Sequence, residues 1–312
     1  MRVHIVSTAG LERGSQLERF RVLAANDVAG RHKLEEGAND ADIVLFVDLH
    51  LIDPQLRMLR EHPLLQEVLD RAFVYCDRDQ PWCVLPGVYT SMPARYFRER
   101  WQRAWLYCDS PTEPPRNTSA DPDLLYSFMG SRSHQCRDSV LGLRHPRSLI
   151  EDTSGFVFYN SDAPDFAIRK ERFGEVIARS KFVLCPRGAG SCSFRLLETM
   201  AAGRVPVIIS DSWVPPAVID WECCSIRVPE KDVATIPELL EAREPDFDRL
   251  VARTIETYES YFSPEVAFHQ IVEACSSIVA SSSAFPPRGI RDGQWLHVMI
   301  HGLRRGRPWP PS

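Results

Sequence analysis

Along this chain, short apolar runs alternate with stretches of helical periodicity. Arg2 to Val6, Asp42 to Val47 and Ala72 to Cys76 are brief runs rich in β-branched residues, and each predicts a buried strand. Between them, Ser15 to Asn26 and Pro54 to Leu69 carry apolar positions at helical spacing. A helix around Ala94 to Arg103 then leads to a fourth strand at Ala104 to Tyr107. Strand alternating with helix predicts parallel strands joined by crossovers, a small Rossmann-like unit. Ser110 to Asp123 is rich in Pro, Thr, Ser and Asn and has the composition of a linker. The chain is therefore expected to divide into residues 1–120 and 121–312.

A second series begins with a strand at Leu124 to Met129 and a helix at Cys136 to Leu143. Phe156 to Tyr159 predicts a strand, and Phe166 to Arg179 a helix with Phe173, Val176 and Ile177 toward the core. Lys181 to Cys185 and Val205 to Ser210 are continuously apolar, as strands covered on both faces are. Between them Pro186-Arg187-Gly188-Ala189-Gly190 breaks the pattern, and Ser191 or Ser193 can cap a helix running to Ala202. Gly203 is its expected stop residue. Trp213 to Val218 reads as a loop or short helix, and Ser225 to Val228 as a last strand. Residues 234–280 are mostly helical, most clearly Asp246 to Tyr261 and Pro264 to Val279, and Gln294 to Leu303 predicts a final helix.

A glycine-containing loop that opens a helix presents free backbone N–H groups and the positive end of the helix dipole, a ready site for phosphate. Arg187 adds a fork of donors suited to a diphosphate. At about 100° per residue, Phe194, Leu197, Met200 and Ala201 fall on one face of the helix, and Arg195, Glu198 and Thr199 on the other. From that second face Glu198 could accept hydrogen bonds from a ribose diol. Two plainer readings stay open: the loop as a turn only, and Arg195 with Glu198 as a surface ion pair. The loop is neither a Walker A motif nor GxGxxG.

SKFVLCPRGAGSCSFRLLETMAAGRVPVIISD, from Ser180 to Asp211, resembles the signature of the exostosin-type glycosyltransferases, family forty-seven of that class. The sequel DWECCSIRVPEKDV resembles the continuation of the same signature, with Cys224 where an aromatic residue is expected. The resemblance covers residues 121–245 closely and the first 120 weakly. It implies the GT-B architecture, α/β with two Rossmann-like domains facing each other across a cleft. The N-terminal domain would bind the acceptor and the C-terminal domain, with its helical extension, the nucleotide-sugar. It also implies an inverting transfer from a UDP-sugar to a glycan or glycolipid in polysaccharide synthesis. Donor-binding positions carried by the match are Gly130, Arg132, Arg187, Gly188, Gly190, Ser191, Ser193, Arg195, Glu198 and Asp211. In Phe128-Met129-Gly130-Ser131-Arg132 the glycine would let the backbone approach the donor closely.

Inverting transfer needs a group that takes the acceptor hydroxyl proton and positive charge for the departing diphosphate. Arg187 with the helix N-terminus supplies the second without a metal, so chelator is expected to leave turnover intact and no cofactor is needed beyond the co-substrate. Base candidates stand at two predicted strand ends, Asp48 with His50 and Asp77 with Asp79, and the sequence does not choose among them. Helix capping and loop solvation are the plainer reading of these residues. Asp77-Arg78-Asp79 also has the form of a DxD metal motif, as has Asp40-Ala41-Asp42. His134 and Cys136 lack companions at ligand spacing, so no metal site is expected there.

Apolar residues make up 44% and charged residues 25% of the 312, an ordinary soluble composition, and the net charge of −5 gives no general affinity for nucleic acid. No window approaches about 18 uninterrupted apolar residues, which argues against a membrane span, and the N-terminus reads as a strand rather than a signal peptide. Nine cysteines with no CxxC pair predict reduced thiols and a cytoplasmic protein. Asn117-Thr118-Ser119 is then an incidental glycosylation sequon. The basic tail RRGRPWPPS reads as a solvated end or as a peripheral contact with anionic lipid. A different class of function, a non-catalytic GT-B-fold partner of another glycosyltransferase, fits the same motifs and is separated from an enzyme by turnover of the purified chain alone.

Overall fold

The computed structural model describes residues 1–10, 15–49, 56–79, 81–108, 116, 121–156, 165–281 and 295–296. Its contacts divide the chain into two units, residues 1–105 with 264 onward, and residues 106–263. In unit 1, β1 (Arg2–Ser7) leads to α1 (Gln16–Ala25), which Ser15 caps by accepting from the Glu18 N–H. There follow β2 (Lys33–Leu34), β3 (Ile43–Val47), the short helices α2 (Arg57–Arg60) and α3 (Pro63–Glu67), β4 (Ala72–Cys76), β5 (Gly87–Tyr89) and β6 (Gln102–Ala104). All are parallel, in the order β2-β1-β3-β4-β5-β6. Every residue of β3 and β4 is buried, because helices cover both faces. Leu59, Leu65 and Val68 pack on Val44, Phe46 and Val74, while Phe20 of α1 meets Tyr75 edge-on at 5.0 Å.

Unit 2 runs β7 (Leu124–Gly130), α4 (Gln135–Leu141), β8 (Ser148–Asp152), α5 (Phe166–Ala178), β9 (Ser180–Pro186), α6 (Phe194–Ala201), β10 (Val205–Ile209), α7 (Trp221–Cys224), β11 (Ile226–Arg227), α8 (Ile236–Arg243) and α9 (Phe247–Thr257). Its sheet is also parallel, in the order β11-β10-β9-β7-β8. One core joins Phe128, Phe182, Leu184, Val207 and Ile209 to Val140, Ile236, Leu240 and Leu250 of the helices; a second packs Phe173, Val176 and Ile177 of α5 on Met129 and Val183. The chain then returns to unit 1 through α10 (Ala267–Ala280), which packs on α1, β5 and β6. Arg103 Nε donates to Ser277 Oγ at 2.8 Å and Val28 N to the Glu265 carbonyl at 3.0 Å.

Both expected α/β units are present, with two differences in how the chain is shared between them. The units part near residue 105 rather than 120, and the C-terminal helix joins unit 1 instead of extending unit 2. The helix expected at Ala94 to Arg103 is only a 3₁₀ turn, Ala94–Tyr96, and Pro54 to Leu69 divides where Pro63 opens a new helix at His62. Strands β2, β5 and β8 stand where none was expected. Gly87 opens β5 because a Cβ there would lie 2.0 Å from the Val74 carbonyl oxygen. All but Phe156 of the strand expected at Phe156 to Tyr159, most of the linker, the sequon and the basic tail lie outside the described residues. Among the described residues no helix is long and apolar enough to cross a membrane.

Candidate active site

In a parallel sheet of this kind, ligands sit beyond the carboxyl ends of the strands, where the strand order reverses. In unit 2 the reversal falls between β7 and β9, the first and third strands of the unit. The two loops that leave these strands are Ser131 to His134, entering α4, and Arg187 to Ser193, entering α6. Both motifs singled out in the sequence are therefore brought to one place.

Arg187 is 6% exposed. Its Nη1 donates to Ser212 Oγ at 2.9 Å, in the loop after β10, and its backbone N–H donates to the Ile209 carbonyl at 2.9 Å. Its Nε is buried without a hydrogen-bond partner, and so are Ser191 Oγ in the same loop and Trp213 Nε1 beside Ser212. Buried donors left unpaired cost free energy, and a ligand rich in acceptors would recover it.

Arg137 of α4 knits the two loops together. Its guanidinium donates to the Arg187 carbonyl at 2.9 Å, the Pro186 carbonyl at 3.3 Å and the Ser131 carbonyl at 3.2 Å. A Cβ on Gly188 would meet this guanidinium at 3.2 Å and Ser133 Oγ at 3.1 Å, so the glycine there serves close packing. Gly190 is buried in the same loop. His134 caps α4, its Nδ1 accepting from the Cys136 N–H at 3.2 Å with a Glu230 carboxylate oxygen at 4.0 Å. Burial, and after it the Arg187 charge, lower the His134 pKa, while Glu230 opposes them. Glu230 is the companion that His134 and Cys136 lack in sequence, and the three offer ligand atoms within 4.8 Å of one another. The Cys136 thiol, raised to about 12 by burial, donates instead to the Arg187 carbonyl.

The remaining donor-site candidates are held by contacts within unit 2. Arg132 is exposed and held by two carboxylates, Asp152 at 2.6 Å and Asp138 at 2.7 Å. Gly130 is required by the ring of Phe128, which a Cβ would meet at 2.5 Å. Asp211 exchanges hydrogen bonds with Glu230, each backbone N–H donating to the other's carboxylate at 3.0 and 3.1 Å, and so joins the loops after β10 and β11. Ser193 occupies the N-cap of α6 without a side-chain cap bond. Gly203 ends that helix as expected at φ +66°, with its N–H and that of Arg204 closing on Met200 and Thr199.

The two faces expected of α6 do not separate in the structure. Glu198 is 2% exposed and Thr199 fully buried. Glu198 pairs with Arg195 at 3.4 Å, and the Arg195 guanidinium lies 4.0 Å from the centroid of Phe173 while donating to the Met129 carbonyl. The helix is sandwiched between sheet and neighbouring helices, so its polar face has no solvent to meet.

Unit 1 reverses its order between β1 and β3. There Asp48 is buried in the left-handed region at φ 61°, and its Oδ1 accepts from Gln16 N, the first N–H of α1, at 2.7 Å. The Thr8 hydroxyl donates to the Asp48 carbonyl at 2.7 Å, and Gln16 Nε2 to Asp77 Oδ2 at 2.8 Å. Asp48 and Asp77 thus come together around Gln16. Asp79 is half-buried in the following turn, and His50 lies outside the described residues. The second acidic triplet is structural, with Asp42 accepting from Arg2 N at 2.8 Å and paired with its guanidinium at 3.2 Å.

The exostosin-1 homolog of Caenorhabditis elegans is 51% identical over 70 residues, 22% of this chain and 18% of that protein. A probable glucuronoxylan glucuronosyltransferase of Arabidopsis thaliana, IRX7, is 42% identical over 81 residues, 24% of this chain and 18% of that protein. The matched stretches thus span under a fifth of these longer relatives. Among solved structures, the HepE protein of Anabaena in complex with UDP overlaps with a TM-score of 0.43 at 10% identity, covering 89% of this chain and all of that one. The family model described as the Exostosin GT47 domain matches residues 65–242, more than half of the sequence, and the chain belongs to that family.

Proposed function

We propose that the chain transfers a sugar, of the glucuronosyl or xylosyl type, from a UDP-sugar to a glycan or glycolipid in polysaccharide synthesis. The observation that carries this reading is Arg187: buried at the strand-order reversal of unit 2, anchored through Nη1, and unpaired at Nε. A fixed guanidinium with unused donors suits a diphosphate whose charge grows as the glycosidic bond breaks. Transfer is inverting, by direct attack of an acceptor hydroxyl on the anomeric carbon, and its proton passes to a general base, for which Asp48, His50, Asp77 and Asp79 are the candidates. Arg187 takes the place of a metal at the leaving group. The names of two plant relatives, the glucuronosyltransferase IRX7 and a probable beta-1,4-xylosyltransferase of the same plant, support the sugar type.

The test is turnover by the purified chain against a panel of UDP-sugars, with UDP release and the anomeric configuration of the product both measured. Release of UDP with inversion, at a rate unchanged by added magnesium or manganese, is the expected result. UDP binding in calorimetry without turnover of any donor would favour a non-catalytic partner subunit. A rate that depends on manganese would move the leaving-group charge from Arg187 to an ion.

A further inference from the structure

Unit 1 holds a cluster that sugar transfer does not use. His269 and Glu273 stand four residues apart on α10, so both rise from one face of the helix. His32 comes from the segment before β2. The His32 and His269 rings stack at 4.9 Å with an interplanar angle of 22°, and His32 Nε2 lies 3.1 Å from Glu273 Oε1. One ligand atom of each residue lies within 4.8 Å of the others.

Two imidazole nitrogens here, His32 Nε2 and His269 Nδ1, are buried without a hydrogen-bond partner. The short His32–Glu273 approach is thus a close polar contact and not an aligned hydrogen bond. The His32 side chain is 3% exposed, whereas that of Glu273 is 47% exposed and opens the cluster to solvent. His32 Nδ1 faces the Met1 amino group at 3.2 Å, which leaves Nε2 as the nitrogen turned toward the cluster.

We propose that His32, His269 and Glu273 bind one divalent transition-metal ion of the zinc type, which clips α10 to the β2 edge of unit 1. Two imidazoles and a carboxylate are a donor set zinc takes, with water completing the tetrahedron from the open side. Ligands about 2.0–2.2 Å from one ion stand roughly 3.3 Å apart, a spacing that His32 and Glu273 already have. The ligand atom of His269 lies within 4.8 Å of both. The ion satisfies both orphaned nitrogens at once and joins a segment near the start of unit 1 to the helix that returns to it from residue 264.

The experiment uses the full chain stripped with EDTA and titrated with zinc by calorimetry, and with cobalt by absorption. One equivalent is expected, with a rise in melting temperature and a cobalt spectrum lacking the thiolate charge-transfer band that the nine cysteines would otherwise give. His269→Ala should weaken zinc binding by more than about 100-fold and remove the rise in melting temperature. Glu273→Gln, at a half-exposed position where folding is not at stake, should weaken binding in the same direction. Zinc bound with unchanged affinity by both variants, a thiolate band with cobalt, or no binding at all would overturn the assignment.

Discussion

In unit 1 the strands that flank the reversal of order, β1 and β3, deliver Thr8 and Asp48; in unit 2 the corresponding strands, β7 and β9, deliver Ser131 and Arg187. The topology is the same, and the charge is opposite. Beside Arg187 stands Arg137, whereas around Gln16 stand Asp48 and Asp77. A strand-order reversal provides a place beyond the sheet where backbone groups are free, and side chains alone decide what it receives. Cations suit a phosphate and carboxylates suit a hydroxyl proton, the two kinds of group that the proposed transfer requires.

The largest expected effect lies on the acidic side. Asp77 is oriented by Gln16, and Asp77→Asn should lower kcat by about 10²–10⁴-fold, the span of general base catalysis. Asp79→Asn should stay near the parent rate. Single-turnover rates for the two decide, and a loss at neither would free unit 1 carboxylates from the chemistry. On the basic side, Arg187→Ala should cost about a hundredfold in kcat, the scale of one lost donor to a developing anion. Its melting temperature should hold, and Arg187→Lys should keep part of the rate, charge without the planar fork. A mutant that melts early instead would make Arg187 a loop brace.

A smaller effect belongs to the scaffold under the basic loops. Because Glu198 is packed against Arg195, Glu198→Gln should destabilise folding by about 1–3 kcal/mol in urea titration. Undiminished stability with weakened UDP affinity would restore the ribose contact expected from the sequence. Smallest, and peculiar to unit 2, is an acid effect at Glu244. It accepts from Arg147 at 2.7 and 2.8 Å and from Lys181 at 2.8 Å, which together hold its pKa down to about 2 from 4.5. A depressed carboxyl contributes stability fully above its unfolded pKa and loses it as pH falls toward the folded one. Glu244→Gln should therefore remove about 1–2 kcal/mol near neutral pH, after allowance for solvent screening, and flatten the decline between pH 4.5 and 2.

What the sequence made legible follows from how each element is held. β3, β4, β9 and β10 are buried on both faces and announce themselves as unbroken apolar runs. β8, Ser148–Asp152, is a partly exposed edge strand with no such run, and β5 hides behind Pro86-Gly87, which reads as a turn. Arg187 and its loop were legible because the motif is contiguous. The role of Arg137 was not, since its partner lies 50 residues away, and neither was Glu230, brought to His134 only by the sheet. Helical periodicity set Glu198 apart from the apolar residues but could not show that its side of the helix is covered.

The return of α10 to unit 1 bears on the order of events during synthesis. Until residue 280 has left the ribosome, the face of α1, β5 and β6 that α10 covers has no mate, although every strand of that sheet has already been made. Unit 2 is contiguous and can close on itself first. The part of the chain made earliest is thus the last to be finished, and a fragment ending at residue 263 would carry a complete second unit beside an unfinished first one.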